Sequence, residues 1–189
     1  VDTLDFTALS SGVHFNDAWR YEASAGGSIA TWTNADNFEI IKGSQHADIL
    51  ISGDGEETLY GFGGDDILTG GGSETEYLFG GEGNDTITAN IGNDFAYGED
   101  GDDLFVESVS SGHDYYDGGD GTDTVDYSGS TVSTLYHTHD NTLRVNGFTD
   151  TLISVEVLKG SAIHAYDRFS AEFNSQAVSV DLGTGAVTG

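Results

Sequence analysis

From residue 43 to 126 the chain keeps a nine-residue beat of polar and apolar positions. GFGGDDILT (61–69), GGEGNDTIT (80–88) and GGDGTDTVD (118–126) each place glycine first and fourth, aspartate sixth and an aliphatic residue eighth. The same frame, with small irregularities, holds GSQHADILI (43–51), SGDGEETLY (52–60), GGGSETEYLF (70–79, one residue long), ANIGNDFAY (89–97) and GEDGDDLFV (98–106). After Glu107 and Ser108 comes VSSGHDYYD (109–117), which makes nine units. Glycines supply the left-handed backbone that a tight turn demands. The last three residues of a unit predict a short strand, whose alternation sends the eighth side chain to one face and its neighbours to the other. The eighth positions read Leu50, Leu59, Leu68, Leu78, Ile87, Ala96, Phe105, Tyr116 and Val125, an apolar file suited to an interior. Two units make a coil, so consecutive strands fall on two opposed parallel sheets. One coil cannot bury its own core; stacking must do it. The expected fold is all-β, a solenoid of short parallel strands.

The flanks have a different texture. Residues 1–42 hold both tryptophans, Trp19 and Trp32, and two alternating stretches. In 127–189, TLRVNGFTDTL (142–152) sets Asn146-Gly147 between alternating apolar residues, a hairpin signal. AVSVDLG (177–183) alternates in the same way. Three regions follow: an N-terminal β flank or cap (1–42), the repeat solenoid (43–126), and a C-terminal β flank (127–189) in which a further block starts near 154–170. A longer repeat is superimposed. DTLDFTALSSG (2–12) resembles DTVDYSGSTVS (123–133), and FEIIKGS (38–44) resembles VEVLKGS (155–161). Asp2 thus takes the role of a sixth position, and Asp167 sits in a candidate turn. The chain reads as part of an array of modules of about 120 residues.

Charge narrows the function. There are 33 acidic residues against 5 basic ones, for a net charge of −28. Such a chain repels itself when compact unless cations neutralise it. Five Lys and Arg assemble no basic patch, which excludes a nucleic-acid partner and disfavours an anionic membrane surface. Regular apolar and aromatic positions argue against disorder. Without cysteine, no disulfide braces the chain, and metal is the remaining staple. No apolar run is long enough to span a membrane, and no signal peptide is visible. The absence of methionine, even at position 1, points to a segment of a longer product.

The turns suit calcium, a hard cation that takes 6–8 oxygen ligands. Each offers backbone carbonyls freed by its glycines and one carboxylate at the sixth place, and a second turn one coil later completes the shell. Ligand pairs should lie two units apart, giving two ladders. The odd ladder carries Asp48, Asp66, Asp85, Asp103 and Asp123. The even ladder carries Glu57, Glu76, Asp94 and Asp114 and has lost several glycines, which suggests a partial ladder holding one or two ions. The candidate calcium-binding residues are Gly43, Asp48, Gly61, Gly63, Asp66, Gly80, Glu82, Asp85, Asp94, Gly98, Asp100, Asp103, Asp114, Gly118, Asp120 and Asp123. The odd ladder would provide up to four sites.

Segment 43–126 resembles the RTX, or haemolysin-type calcium-binding, repeat domain. The resemblance implies a parallel β-roll, folding driven by calcium, and export of the unfolded chain by a type I secretion system to the outside of a bacterial cell. The partners implied are calcium ions and adjacent domains of the parent chain, with a glycan or cell-surface ligand as the alternative.

Other constellations carry less. His137-Thr138-His139-Asp140 sets two imidazoles on one strand face, but no third ligand is evident, and a solvated strand end explains them. His46 and His164 precede Asp48 and Asp167 in a way that duplication explains. Trp19 and Trp32 would stack on a sugar but serve more simply as core anchors. No GxSxG or HExxH occurs, and no nucleophile stands beside a base. An ice-binding file is missing, because the third positions mix Gln45, Gly63, Ile91 and acidic residues. The reading is a calcium-dependent structural module rather than an enzyme, with an adhesin or carbohydrate-binding module as the alternative and part of an extracellular enzyme as the lesser one.

Overall fold

The computed structural model describes residues 1–16, 22–25, 28–31, 38–107, 112–129, 134–137, 141–145, 148–160, 168–170 and 179–181. Among these residues there are strands and no helix. The first sheet stacks seven parallel strands in the order β1 (Thr3–Asp5), β5 (Ile40–Lys42), β7 (Thr58–Gly63), β9 (Tyr77–Glu82), β11 (Phe95–Asp100), β13 (Tyr115–Asp120) and β17 (Phe148–Ile153). The second stacks β2 (Val13–Asn16), β6 (Ile49–Ile51), β8 (Ile67–Thr69), β10 (Thr86–Thr88), β12 (Leu104–Val106), β14 (Thr124–Asp126), β18 (Val157–Lys159) and β20 (Ser179–Asp181). Through the repeats the chain alternates between sheets at every unit, which makes a parallel β-roll.

The strands of the two sheets differ in length. Those of the second sheet within the repeats have three residues, as the sequence suggests. Those of the first sheet, β7, β9, β11 and β13, have six, because the ladder continues into the glycines of the next turn.

All nine residues of the apolar file have no exposed surface, and the file continues beyond the repeats through Phe15 and Ile41 at one end and Leu152 and Leu158 at the other. Thr69 and Thr88, beside Leu68 and Ile87, are half-buried on the outer face. Register explains the regularity: Leu50, Leu68, Ile87, Phe105 and Val125 are successive partners across one sheet. Leu59, Leu78, Ala96 and Tyr116 are successive partners across the other.

Each sheet takes in antiparallel strands from a flank. In the second, β2 pairs with β3 (Glu22–Ala25), which pairs with β4 (Ser28–Thr31). In the first, β17 pairs with β16 (Thr142–Val145), which pairs with β15 (Thr134–His137), and β15 in turn pairs with β19 (Arg168–Ser170). Val145 and Phe148 are antiparallel partners, while Asn146 and Gly147, the expected turn, lie outside the described residues. Trp19, Trp32, His139, His164 and Asp167 lie outside the described residues.

The longer repeat reappears as hydrogen bonding. Asp2 donates its N–H to the Glu39 carboxylate, and its carbonyl accepts from Glu39 and Ile40. Asp123 donates to Glu156 Oε2 at 2.9 Å, and its carbonyl accepts from Glu156 and Val157. Phe6 N–H to the Lys42 carbonyl repeats as Tyr127 N–H to the Lys159 carbonyl, both at 2.8 Å. The two copies sit on opposite sheets: β1 pairs with β5 in the first, β14 with β18 in the second.

Candidate metal centre

The odd-numbered turns cross from the first sheet to the second along one edge of the roll. Their second residues, Phe62, Gly81, Glu99 and Gly119, have φ of 80°, 118°, 76° and 99°. Their fourth residues, Gly64, Gly83, Gly101 and Gly121, are also left-handed. Phe62 and Glu99 hold a conformation that side chains resist, and such strain persists where surrounding structure over-determines it.

The sixth-position aspartates form a continuous ladder. Asp48 donates its N–H to Asp66 Oδ1 at 2.7 Å, Asp66 to Asp85 Oδ1 at 2.7 Å, Asp85 to Asp103 Oδ1 at 2.8 Å and Asp103 to Asp123 Oδ1 at 2.9 Å. Only one oxygen of each carboxylate is used in this way. Oδ2 of Asp66, Asp85, Asp103 and Asp123 is buried without a hydrogen-bond partner.

The first-position glycines show what surrounds these oxygens. A Cβ on Gly61, Gly80, Gly98 or Gly118 would lie 2.1–2.3 Å from the Oδ2 of its own turn's aspartate. It would lie 2.2–2.8 Å from the carbonyl oxygen of Gly80, Gly98, Gly118 or Ser154, one coil on. A bare carboxylate oxygen and a carbonyl therefore converge on one small space at each step, with no donor between them. Such an oxygen set favours a hard cation and disfavours an anion or an apolar group. No group of three or more His, Cys, Asp or Glu side chains is arranged for a metal among the described residues. The donor set that fits calcium is thus one carboxylate per turn supplemented by main-chain carbonyls.

Asp48 differs. Its Oδ2 accepts from Ser44 N–H at 2.5 Å, and its Oδ1 accepts from Val13 N–H at 2.5 Å and from Ser44 Oγ at 3.1 Å. Gly43 lies beside that Oδ2 and the Gly61 carbonyl, so the first turn is closed by hydrogen bonds. The third-position residues stand elsewhere again. Glu82, Asp100 and Asp120 are exposed and in register along the outside of the edge, and their carbonyls accept from Gly64, Gly83 and Gly101 at 2.8 Å. Gly63 is buried, with open space around it apart from Gln45 and the Glu82 carbonyl.

The even-numbered turns make a second ladder on the opposite edge. Glu76 donates its N–H to Asp94 Oδ1 at 3.0 Å, Asp94 to Asp114 Oδ1 at 2.9 Å and Asp114 to Asp150 Oδ1 at 3.1 Å. Both Oε atoms of Glu76 and Oδ2 of Asp94 are buried here without a hydrogen-bond partner. At the far end Tyr127 donates to Asp150 Oδ2 at 2.9 Å, and Tyr116 to Glu107 Oε2 at 2.7 Å. Hydroxyls satisfy the carboxylates there.

Burial dominates the electrostatics. It raises Asp66 to about 8, aided by Asp85 and Asp48, and raises Asp85, Asp103 and Asp123 to about 6. Glu76 is pushed up by burial and then by Asp94 beside it, and Asp94 and Asp114 are raised by burial as well. Stacked carboxylates in a dry edge demand positive charge, as cations or as protons.

Asp150, Ser154 and Glu156 are absent from the sequence-derived site. Ser154, at φ 50°, supplies the carbonyl after Gly118, and Glu156 accepts from Asp123 where another aspartate would stand. The likeness of VEVLKGS to FEIIKGS is the signal for Glu156, because Glu39 accepts from Asp2 in the same way. The signal for Asp150 is local: TDTLI (149–153) repeats the TDTVD (122–126) string around Asp123, although Asp150 lies 36 residues after Asp114, beyond a hairpin.

No helix among the described residues is long and apolar enough to cross a membrane. No curated protein matches the chain. A family model for the RTX calcium-binding nonapeptide repeat matches residues 42–74, 71–105 and 110–125, with four copies. That family is a structural calcium-binding module typical of exported bacterial proteins. Residues 42–125 of this chain are an array of RTX calcium-binding nonapeptide repeats.

Proposed function

We propose that this chain is a calcium-triggered folding scaffold, a non-enzymatic segment of a larger protein exported by a type I system. The observation that carries the reading is the row of four buried, partnerless Oδ2 atoms at Asp66, Asp85, Asp103 and Asp123, each beside a main-chain carbonyl. Calcium would be held there between successive turns, with Gly61, Gly80, Gly98 and Gly118 leaving the room. A further ion would sit at Glu76 and Asp94 on the other edge. Where calcium is scarce, these carboxylates repel one another and keep the chain open. Where calcium is plentiful, binding energy becomes folding energy. Asp48 closes the first turn rather than holding metal, and Glu82, Asp100 and Asp120 line the outside of the site. The flanks extend both sheets and cap the apolar file.

The test is circular dichroism with small-angle scattering in EDTA and in millimolar calcium. The expected result is an expanded, weakly structured chain in EDTA and a compact β-rich one in calcium. A compact β-rich chain in both would overturn the reading.

A further inference from the structure

The outer face of the first sheet carries a patch that calcium binding does not use. Seven half-buried aromatic side chains stand on it: Tyr60, Phe62, Tyr77, Phe79, Phe95, Tyr97 and Tyr115. As far as Tyr97 they stack along the roll, while Tyr115 is tilted 35° to Phe95 and 47° to Tyr97. Tyr60 and Phe79 have centroids 4.9 Å apart with planes at 10°; for Phe79 and Tyr97 the values are 4.9 Å and 4°, and for Tyr77 and Phe95 5.1 Å and 6°. Rings stacked so flat cover each other's faces and point their edges outward. A sugar packs on an exposed ring face, which only the ends of such a stack offer. A ridged apolar surface of ring edges instead suits a second sheet laid on it, about 10 Å away.

The order of residues along one row says which sheet. Lys42, Tyr60, Phe79, Tyr97 and Asp117 are successive register partners on β5, β7, β9, β11 and β13. Within a longer row that Asp5 continues beyond Lys42 and Ile153 beyond Asp117, these five read cation, Tyr, Phe, Tyr, anion, with Phe79 at their centre; Asp117 Oδ2 also accepts from the Tyr115 hydroxyl at 3.4 Å. A two-fold axis along β9, in the plane of the face, sets this row against itself reversed. Lys42 of one copy then meets Asp117 of the other, twice, and tyrosine faces tyrosine. A patch complementary to its own reversal is what an isologous contact requires.

We propose that the calcium-loaded chain forms a two-fold dimer through this aromatic face, with Phe79 on the axis and Lys42 paired with Asp117 of the second copy. Five strands span about 20 Å across the face and a six-residue strand about 20 Å along it. That is roughly 400 Å² per copy, below the size of standard specific interfaces, so the contact is a weak one whose occupancy depends on concentration.

Sedimentation equilibrium of the full chain in millimolar calcium, over a concentration series, tests this, with circular dichroism run alongside to report the fold. The wild-type chain should dimerise. Phe79→Glu, which sets two like charges at the axis, should stay monomeric with an unchanged calcium-folded spectrum. Lys42→Asp and Asp117→Lys should each weaken association about tenfold or more. An equimolar mixture of those two variants should recover it as a heterodimer, because each supplies the sign the other lacks. A folded wild-type chain that stays monomeric overturns the proposal, including one that binds a polysaccharide or another protein through this face. So does a dimer indifferent to Phe79→Glu, or a mixture that does not recover. A spectrum indifferent to calcium would count against the folding reading instead, and association would still decide the dimer.

Discussion

Asp85 gives its backbone N–H to Oδ1 of Asp103 one coil on, across 2.8 Å, while Oδ2 of that same Asp103 carboxylate is buried with no partner. The two oxygens thus have separate jobs. One aligns the coils, and the other is the oxygen that the proposed function assigns to calcium.

Asp85→Asn separates these jobs, since an amide oxygen still accepts the N–H of Asp66 but carries no charge. The variant should fold only at higher calcium and bind about one ion fewer by calorimetry. Glu57→Ala, at the start of the even ladder, should change the calcium midpoint far less. Equal losses in the two variants would contradict the division between ladders.

Gly80→Ala would place a methyl group 2.2 Å from Asp85 Oδ2 and 2.8 Å from the Gly98 carbonyl. It should cost about 1–3 kcal/mol through overpacking and remove calcium from that turn. At Gly63 a Cβ would meet nothing closer than 3.5 Å. Gly63→Ala should therefore leave the calcium titration unchanged, and a large shift there would show that position 63 matters to the ion.

Leu68 has no exposed surface and packs in file between Leu50 and Ile87. Leu68→Ala should cost about 2–5 kcal/mol in calcium-saturated denaturation. Leu68→Asp should prevent folding at any calcium concentration, because the interior offers no partner for a charge.

Acid should partly replace calcium. Without the ion, burial holds Asp85, Asp103 and Asp123 at about 6 and Asp66 at about 8. In the unfolded chain aspartate titrates at about 3.9. Between those values the folded state binds more protons, so its stability falls as pH rises. The calcium-free chain should be most compact at about pH 4 and should open steadily towards pH 8. Saturating calcium should reverse this trend, because protons then compete with the ion. A calcium-free chain more compact at pH 8 than at pH 4 would refute the assignment.

Much of the roll was legible because its period is short and its chemistry repeats. Leu68 and Asp85 could be placed by counting, since a turn of fixed length delivers each to the same face every coil. The closures of the ladders were not legible in this way. Asp150 reaches Asp114 only after β15 and β16 have left the roll and β17 has rejoined it, so spacing along the chain says nothing of the pairing. The turn of Asp48, GSQHAD, departs from its fellows in sequence, with His46 where they have the fourth-position glycine. Asp48 behaves otherwise because Ser44, which lacks the left-handed backbone of Phe62 or Gly81, turns its N–H onto the carboxylate. The aromatic stacks are hidden in the linear sequence because Tyr, Phe and Thr interchange at the seventh and ninth positions and align only when alternate units are set side by side.

The duplication has a geometric result. Asp2 and Asp123 make the same hydrogen bonds, 121 residues apart, yet β1 and β14 lie on opposite sheets. A chain that changes sheet at every unit must therefore have passed through an odd number of half-coils between them. Translation by one such period is also a half-turn about the long axis, a screw operation. Modules repeated on this period would carry their principal cation edge to the left, then the right, then the left again. Their aromatic faces would look up and down in turn. A filament built this way would spread its acidic edges evenly on both margins and present its aromatic faces to both sides.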